Sequence, residues 1–331
     1  MSKTFVIAEA GANHNRDFDR AKQLIDAAKK SGSDAVKFQT YSSETLYAKN
    51  TPNFAGYSNI NQLIKDIELP RAWQKDLKAY CDDQGIEFMS TPFDEAAVSQ
   101  LVDLGVKRLK IAGFESTDFR FVEMVASAKL PLIVSMGLGY KLEYIERIVE
   151  IASKYNNDLT LLHCNNAYPT PINDANLQMV AMLHQDDRFR CGFSDHTTSV
   201  LTPALAVAMG ADVIEKHFTI NRSLPGPDHS FALEPEELAE MVGFIRLAEQ
   251  ATNMRTNELT ASEKAFVHAR RSVVSRLPLK KGDELTIENT TTMRPFFEGC
   301  IPASQYHDVL GRRVNKDLPS NSLIKIHDLQ L

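Results

Sequence analysis

Hydrophobic positions along the chain follow two alternating rhythms. Short, nearly continuous apolar runs recur as FVIAEA (5–10), AVKFQT (35–40), EFMSTP (87–92), RLKIAG (108–113), PLIVSMG (131–137), LTLLHC (159–164), RCGFSD (190–195) and VIEKHF (213–218). Each is followed by a stretch with apolar residues at helical spacing, around 17–31, 70–84, 94–104, 118–129, 141–154, 174–184, 199–210 and 234–250. Runs of this length read as strands, and a run without polar alternation is a strand buried on both faces. Buried strands alternating with helices imply a parallel sheet. Eight such repeats in about 250 residues predict a (β/α)8 barrel. A doubly wound open sheet would need a glycine-rich phosphate loop after its first strand. The segment there is GANHNRD, with a single glycine, which favours the barrel.

The rhythm changes near Thr252. TNMRTNELTASEKAF is polar and helix-friendly and reads as a linker, 251–269, after a barrel at 1–250. Residues 270–331 carry short apolar runs broken by the turn signals LKKGD and LPSNS, the pattern of a small β-rich domain. A segment of about 60 residues forms a marginal core alone, so this one is expected to lean on the barrel or on a partner subunit.

Composition narrows the classes. The chain has 331 residues, 43% hydrophobic and 24% charged, with a net charge of -6. That balance argues against nucleic-acid or membrane binding but leaves room for a local basic pocket. No apolar run approaches the ~20 residues of a membrane helix. The N-terminus enters a strand at once, without the layout of a signal peptide. Cys81, Cys164, Cys191 and Cys300 are too scattered for a disulfide frame or zinc knuckle and read as reduced thiols of a cytoplasmic protein.

A barrel carries its active site where its strands end. The polar residues there are Glu9, Lys37, Thr91, Lys110, Ser135, Asn166, Tyr168, Ser194, Asp195, His196, Glu215, Lys216 and His217, with Glu115 just beyond the fourth strand. Side chains alternate along a strand, so Ser194 and His196 share a face, as do Glu215 and His217. If the seventh and eighth strands are neighbours, two imidazoles meet at one mouth with a hydroxyl and a carboxylate beside them. That is half of a divalent metal site. Strand-end histidines also serve as plain hydrogen-bonding groups. Lysines within apolar strands are costly unless a partner or an anion meets them, so Lys37 and Lys110 point to a multiply charged ligand such as a phosphate ester. Ion pairs of Lys37 with Glu9 and Lys110 with Glu115 would meet the same need.

The segments IAEAGANHN, DAVKFQT, FMSTPFD, LHCNNAYPTP, GFSDHT, GADVIEKHFT and PGPDHSFALEPEEL resemble the sialic acid synthase family, in the family's order and along nearly the whole chain. The terminal segment resembles the antifreeze-like (SAF) domain of these synthases. The resemblance implies condensation of phosphoenolpyruvate with the open-chain aldehyde of an N-acylated hexosamine, giving a nine-carbon 2-keto sugar acid and phosphate. It implies His196 and His217 as ligands of a divalent metal, manganese in the family, with magnesium or cobalt chemically suited as well. The metal would activate the sugar aldehyde. The resemblance further implies that Lys37, Lys110, Thr91, Ser135 and Ser194 cradle the carboxylate and phosphate of phosphoenolpyruvate. Glu9 would be the general base or water-orienting group, with Glu215 near the metal. Asn166, Tyr168 and Asp228 would face the sugar. Arg294 of the terminal domain would reach the barrel mouth of the other subunit and contact the N-acyl group, which implies a domain-swapped homodimer.

Departures bear on the sugar. Arg16 stands where the family commonly has glycine. After Lys110 the chain reads IAGFES instead of a Ser-Gly-Glu arrangement, so Gly113 lacks a hydroxyl that often meets phosphate. Phe114 and Trp73 look like the pseudaminic branch, and PGPDHS around Asp228 looks like the neuraminic and legionaminic branch. The competing readings are a pseudaminic acid synthase specifically, another phosphoenolpyruvate-using aldol enzyme on the same barrel, and a protein of spore-coat or surface-polysaccharide assembly.

Overall fold

The structure, a computed structural model, describes residues 3–53, 58–252 and 257–330. Two units can be distinguished, Met1–Met254 and Arg255–Leu331. In the first, the eight apolar runs form parallel strands: β1 (Phe5–Gly11), β2 (Ala35–Thr40), β3 (Glu87–Pro92), β4 (Leu109–Ile111), β5 (Leu132–Met136), β6 (Leu159–Cys164), β7 (Arg190–Asp195) and β8 (Val213–His217). They pair in the order β3-β2-β1-β8-β7-β6-β5-β4. β3 and β4, the two ends of this ladder, pack against each other and nearly close the ring. This is the (β/α)8 barrel that the periodicity predicts.

The helices are α1 (Phe18–Lys30), α2 (Ile60–Ile67), α3 (Gln74–Gln84), α4 (Glu95–Asp103), α5 (Phe119–Ala126), α6 (Leu142–Ser153), α7 (Gln178–Leu183), α8 (Thr202–Ala208) and α9 (Pro235–Thr252). Aspartates start three of them. Asp17, Asp94 and Asp118 accept from the amides of Arg20, Ala97 and Phe121 at 3.0, 2.7 and 3.1 Å, satisfying donors that have no partner within the helix.

The period of two along each strand sorts the barrel into layers. Outward residues such as Val6, Val36, Phe88 and Ile214 join the helices in the main core. Inward, Ile7, Ala35, Met89, Ile133, Leu162 and Val213 form an apolar plug. Gly192 lies in the same register, where a Cβ would come 2.2 Å from the Val213 carbonyl oxygen. Two residues further along each strand, the inward positions turn polar: Glu9, Lys37, Thr91, Ser135, Cys164, Ser194 and Glu215. The plug is thus the floor on which the polar layer stands. On the outer face, Lys216 pairs with Asp195 at 2.8 Å, and Thr202 of α8 donates to Asp195 at 2.6 Å. That ion pair belongs to the packing between strands and helices.

Three differences from the sequence reading have local causes. β4 is shorter than 108–113 because the chain turns at Ala112, whose carbonyl accepts from the Glu115 amide at 3.1 Å. The third-strand approach begins with a 3-10 turn, Arg71–Trp73, before α3. The connection after β2 contains α2, which the sequence reading omitted. Its Ile60 and Ile64 pack with Tyr41 in a small separate cluster.

In the second unit, β9 (Ser272–Ser275) and β10 (Thr290–Met293) pair antiparallel, and isolated bridges link most of the remaining segments. Val273, Leu279, Leu285, Ile301, Val309, Val314, Leu318, Ile324 and Leu329 form its core. The LKKGD segment is a turn, with Gly282 at φ 96 and Asp283 accepting from the Lys280 amide at 2.7 Å. Within 251–269, a 3-10 helix, Ala261–Ala269, starts at a capping box made by Thr260 and Glu263.

Candidate active site at the barrel mouth

Glu9, Lys37, Thr91, Lys110, Ser135, Asn166, Tyr168, Ser194, His196, Glu215 and His217 line one cavity with an empty volume of ≈ 310 Å³ above the apolar plug. Strand alternation delivers eight of them inward from seven strands, and Asn166, Tyr168 and His196 come from the loops after β6 and β7. The two lysines are 2% and 1% exposed, so each ammonium has lost its water and depends on protein partners. Lys37 Nζ lies 2.8 Å from Glu9 Oε2, donates to Thr91 Oγ1 at 2.9 Å and sits 3.6 Å from Glu215 Oε1. Lys110 Nζ donates to Ser135 Oγ at 2.7 Å and to the Ile111 carbonyl at 3.0 Å, and lies 3.7 Å from the same Glu215 oxygen. The Lys37–Glu9 pair therefore exists. Lys110, however, pairs with Glu215 and not with Glu115, because β8 brings Glu215 into the barrel axis while Glu115 lies past the β4 turn.

These charges set the proton affinities. Burial pushes Glu9 up to about 7 against the opposing pull of Lys37. Burial also raises the proton affinity of Glu215, but Lys110 and Lys37 outweigh it and hold that carboxyl below the ordinary range. Burial pulls Lys110 down, and Glu215 opposes without cancelling it. For Lys37 the two carboxylates win over burial and keep it raised. Two lysines thus converge on one carboxylate that accepts from Ser194 Oγ at 3.3 Å, while Glu215 Oε2 has no hydrogen-bond partner. A buried acceptor left open beside two ammonium groups and three hydroxyls is a site built for something further.

His196 and His217 face each other with ring centroids 5.3 Å apart. His196 Nδ1 lies 2.6 Å from the Asn165 carbonyl oxygen. A carbonyl only accepts, so Nδ1 carries the proton and Nε2 keeps a free lone pair. Burial lowers His196 to about 4, and burial with His196 beside it holds His217 well below the ordinary range. Both are neutral near pH 7, the form that binds metal. His217 Nδ1 is buried with no hydrogen-bond partner. Among the described residues no group of three or more His, Cys, Asp or Glu is arranged around a metal. Two neutral imidazoles with an orphaned ring nitrogen fit a divalent ion whose other positions are left to water and substrate.

Tyr168 packs on His196 at 4.2 Å and on Phe231 at 5.5 Å, and Phe231 packs on His217 at 5.3 Å, so aromatic rings wall in the imidazoles. Asp228 lies outside the cavity lining. Its Oδ2 accepts from the Ala12 amide at 3.2 Å and stands 4.0 Å from His217 Nδ1. Asn166 occupies space that only glycines leave: a Cβ on Gly137 would lie 1.7 Å from its Oδ1. Arg294 is exposed in the second unit.

Several lining groups were missed. Gln39 donates to Glu9 Oε1 at 2.8 Å, and its place two residues past Lys37 was a signal for it. Cys164, one of the four reduced thiols, is buried, with its proton affinity pushed up to about 12, and it lines the cavity. Phe231 and the Asn165 carbonyl act through loop geometry that no spacing reveals.

The sequence pattern of the NeuB family matches residues 24–257, and that of the SAF domain matches residues 270–330. The chain is 40% identical to N,N'-diacetyllegionaminic acid synthase of Legionella pneumophila, over 97% of this chain and 93% of that protein. It is 34% identical to pseudaminic acid synthase of Campylobacter jejuni, over 99% of this chain and 97% of that protein. The crystal structure of N-acetylneuraminic acid (sialic acid) synthetase from Leptospira borgpetersenii, in complex with citrate, superposes with a TM-score of 0.75 at 34% identity, covering 80% of this chain and 90% of that one.

Proposed function

The chain belongs to the NeuB family, and from that premise we propose that it condenses phosphoenolpyruvate with the open-chain aldehyde of an N-acylated hexosamine, N-acetylmannosamine or a 2,4-diacetamido-6-deoxyhexose, yielding a nine-carbon 2-keto sugar acid and phosphate. The observation that carries the reading is the convergence of Lys37 and Lys110 on Glu215 Oε1 at 3.6 and 3.7 Å, beside two neutral imidazoles. A small polyanion entering there finds two dehydrated ammonium groups and the hydroxyls of Thr91, Ser135 and Ser194.

In this reading Lys37 and Lys110 grip the carboxylate and phosphate of phosphoenolpyruvate and fix its carbon 3 toward the sugar. Gly113 offers no hydroxyl, so Ser135 and Ser194 take a larger share of the phosphate contacts. Asn166, Tyr168 and Asp228 hold the sugar. Carbon 3 bonds to the aldehyde carbon, water adds at carbon 2, and the tetrahedral intermediate breaks its C–O bond to release phosphate. Glu9, held in place by Lys37 and Gln39, accepts the proton of the adding water. Tyr168 and Phe231 keep bulk water off the imidazoles. A divalent ion on His196 and His217, manganese in our reading, would supply Lewis-acid polarisation of the aldehyde oxygen. Arg294, from a second copy in a domain-swapped homodimer, would contact the N-acyl group.

The test is phosphate release from phosphoenolpyruvate with Mn2+ and three aldehyde donors: N-acetylmannosamine, the 2,4-diacetamido-6-deoxymannose precursor and the altrose precursor. Turnover with one of them is expected, and the preferred one fixes the neuraminic, legionaminic or pseudaminic branch. Equal release with phosphoenolpyruvate alone, or none with any sugar, would sink the assignment.

A further inference from the structure

We propose that His229 is a positioning residue, clamping the loop between β8 and α9 to the loop after β1 so that Asp228 and Phe231 stay against the His217 imidazole. The proposal rests on the synthase reading above and deepens it.

His229 is fully buried, yet it lies on a loop and not in a strand or long helix. Its Nδ1 is 2.6 Å from Thr219 Oγ1, two residues past His217, and its Nε2 is 3.2 Å from Asn15 Oδ1 in the loop after β1. Asn15 in turn donates from Nδ2 to the Pro225 carbonyl at 2.7 Å. The direction of every bond follows from what each atom can do. The Pro225 carbonyl only accepts, so the Asn15 amide nitrogen faces it and Oδ1 faces His229. Oδ1 only accepts, so His229 Nε2 carries the proton. Nδ1 of the neutral ring then accepts from the Thr219 hydroxyl. A protonated Nε2 and a bare Nδ1 are one neutral tautomer, and burial keeps the ring neutral, lowered to about 4.

The two loops meet closely. Gly226 has φ 148, and a Cβ there would come 2.8 Å from His229 Cδ2 and 3.1 Å from Asn15 Oδ1, so backbone lies directly on the pair. The base of the loop is closed by Leu233 N donating to the His217 carbonyl at 3.0 Å and Thr219 N to the Leu233 carbonyl at 2.8 Å. Between base and clamp, one 3-10 turn, His229–Phe231, sets both neighbours. Asp228 reaches 4.0 Å from His217 Nδ1, and the Phe231 ring packs on His217 at 5.3 Å. His229 touches neither the cavity nor its contents. Its effect on turnover passes through Asp228, the sugar-facing carboxylate of the synthase reading.

The test compares wild type with His229→Ala, His229→Gln and Asn15→Gly. Glycine suits position 15, whose φ is 47, so that variant removes the acceptor without strain. In steady-state phosphate release, His229→Ala and Asn15→Gly should raise KM for the sugar about tenfold and leave KM for phosphoenolpyruvate within about twofold. His229→Gln retains an N–H at the Nε2 position and should recover part of the loss. The double variant His229→Ala/Asn15→Gly should be no worse than the single ones, since both cut one chain of bonds. Nitrogen NMR of the folded wild-type protein should report the Nε2-protonated tautomer. Equal shifts of both KM values, a melting-temperature loss with both KM values unchanged, additive losses, or the other tautomer would each overturn the clamp. If the wild type turns over none of the sugars, the synthase reading falls and the clamp's purpose with it. Wild-type turnover with an unsplit effect in the variants overturns the clamp alone.

Discussion

Lys37 is the residue on which the cavity's charge balance turns, since it neutralises Glu9 directly and shares Glu215 with Lys110. Lys37→Met fills the same volume but leaves Glu9 and Glu215 without the ammonium between them. Removing one partner of a buried pair costs about 3–5 kcal/mol, so melting should fall markedly. Phosphate release should drop by at least about a thousandfold, because a preorganised cation is lost where phosphate charge develops. A variant that melts low yet turns over normally would show that Lys37 is structural alone. Glu115 gives a second pH signal: it forms no ion pair with the lysines, and the charge of Lys110 opposes its burial without cancelling it. Burial raises it from 4.5 to about 7, and its Oε2 has no hydrogen-bond partner. The folded state therefore binds this proton more tightly than the unfolded chain. Its contribution is fully present below pH 4.5 and is lost as pH rises through about 7. Glu115→Gln should flatten the fall in melting temperature between pH 5 and 8 by about a few degrees, measured by calorimetry. An unchanged slope would contradict the burial argument.

At the scale of elements, the barrel's layering makes one glycine indispensable. Gly192 in β7 faces inward at the apolar plug, where a methyl would meet the Val213 carbonyl oxygen at 2.2 Å and Leu162 Cδ2 at 2.5 Å. The backbone oxygen belongs to the neighbouring strand and cannot rotate away. Gly192→Ala should therefore destabilise by about 3 kcal/mol through overpacking, and denaturant melts would show it as a lower midpoint at similar slope. The strands were legible because burial on both faces erases polar alternation, and the polar layer was legible because parity is fixed once a strand is placed. Hence Glu9, Lys37, Thr91, Ser135, Ser194, Glu215 and His217 could be listed from the sequence. α2 carries Ile60, Leu63, Ile64 and Ile67 at helical spacing and was readable in principle, but it sits in a connection where the repeat led one to expect a loop. Loops hold what remained hidden. The Asn165 carbonyl that fixes His196, the ring of Phe231 and the Asn15–His229 contact join residues far apart in sequence, and no local period encodes them. The Glu215 partnership of Lys110 was misread for the same reason: proximity in sequence suggested Glu115, whereas barrel closure brings in β8.

For the whole molecule, the sharpest question is whether Arg294 serves its own barrel or that of another copy. Arg294 is exposed, and the nearby Met293 and Phe297 are 44% and 47% exposed. In the domain-swapped homodimer that we propose, each active site combines one protomer's histidines with the other's Arg294. Complementation then has a fixed outcome. His217→Ala removes a histidine of the barrel mouth, and Arg294→Ala removes the cation, so each homodimer is impaired. In a mixed dimer one site carries both lesions, and the other carries neither. Random co-assembly at equal amounts gives half mixed dimers, so about a quarter of all sites should be intact. Co-expressing the two variants and measuring phosphate release at low sugar concentration should recover about that fraction of wild-type activity. Low sugar matters because Arg294→Ala is expected to raise KM for the sugar far more than KM for phosphoenolpyruvate. If Arg294 served its own barrel, one site of each mixed dimer would lack His217 and the other would lack Arg294, and no activity above the Arg294→Ala background would return. Sedimentation of the purified mixture must show dimers for either outcome to be read, and a monomeric wild type would by itself refute the swapped arrangement.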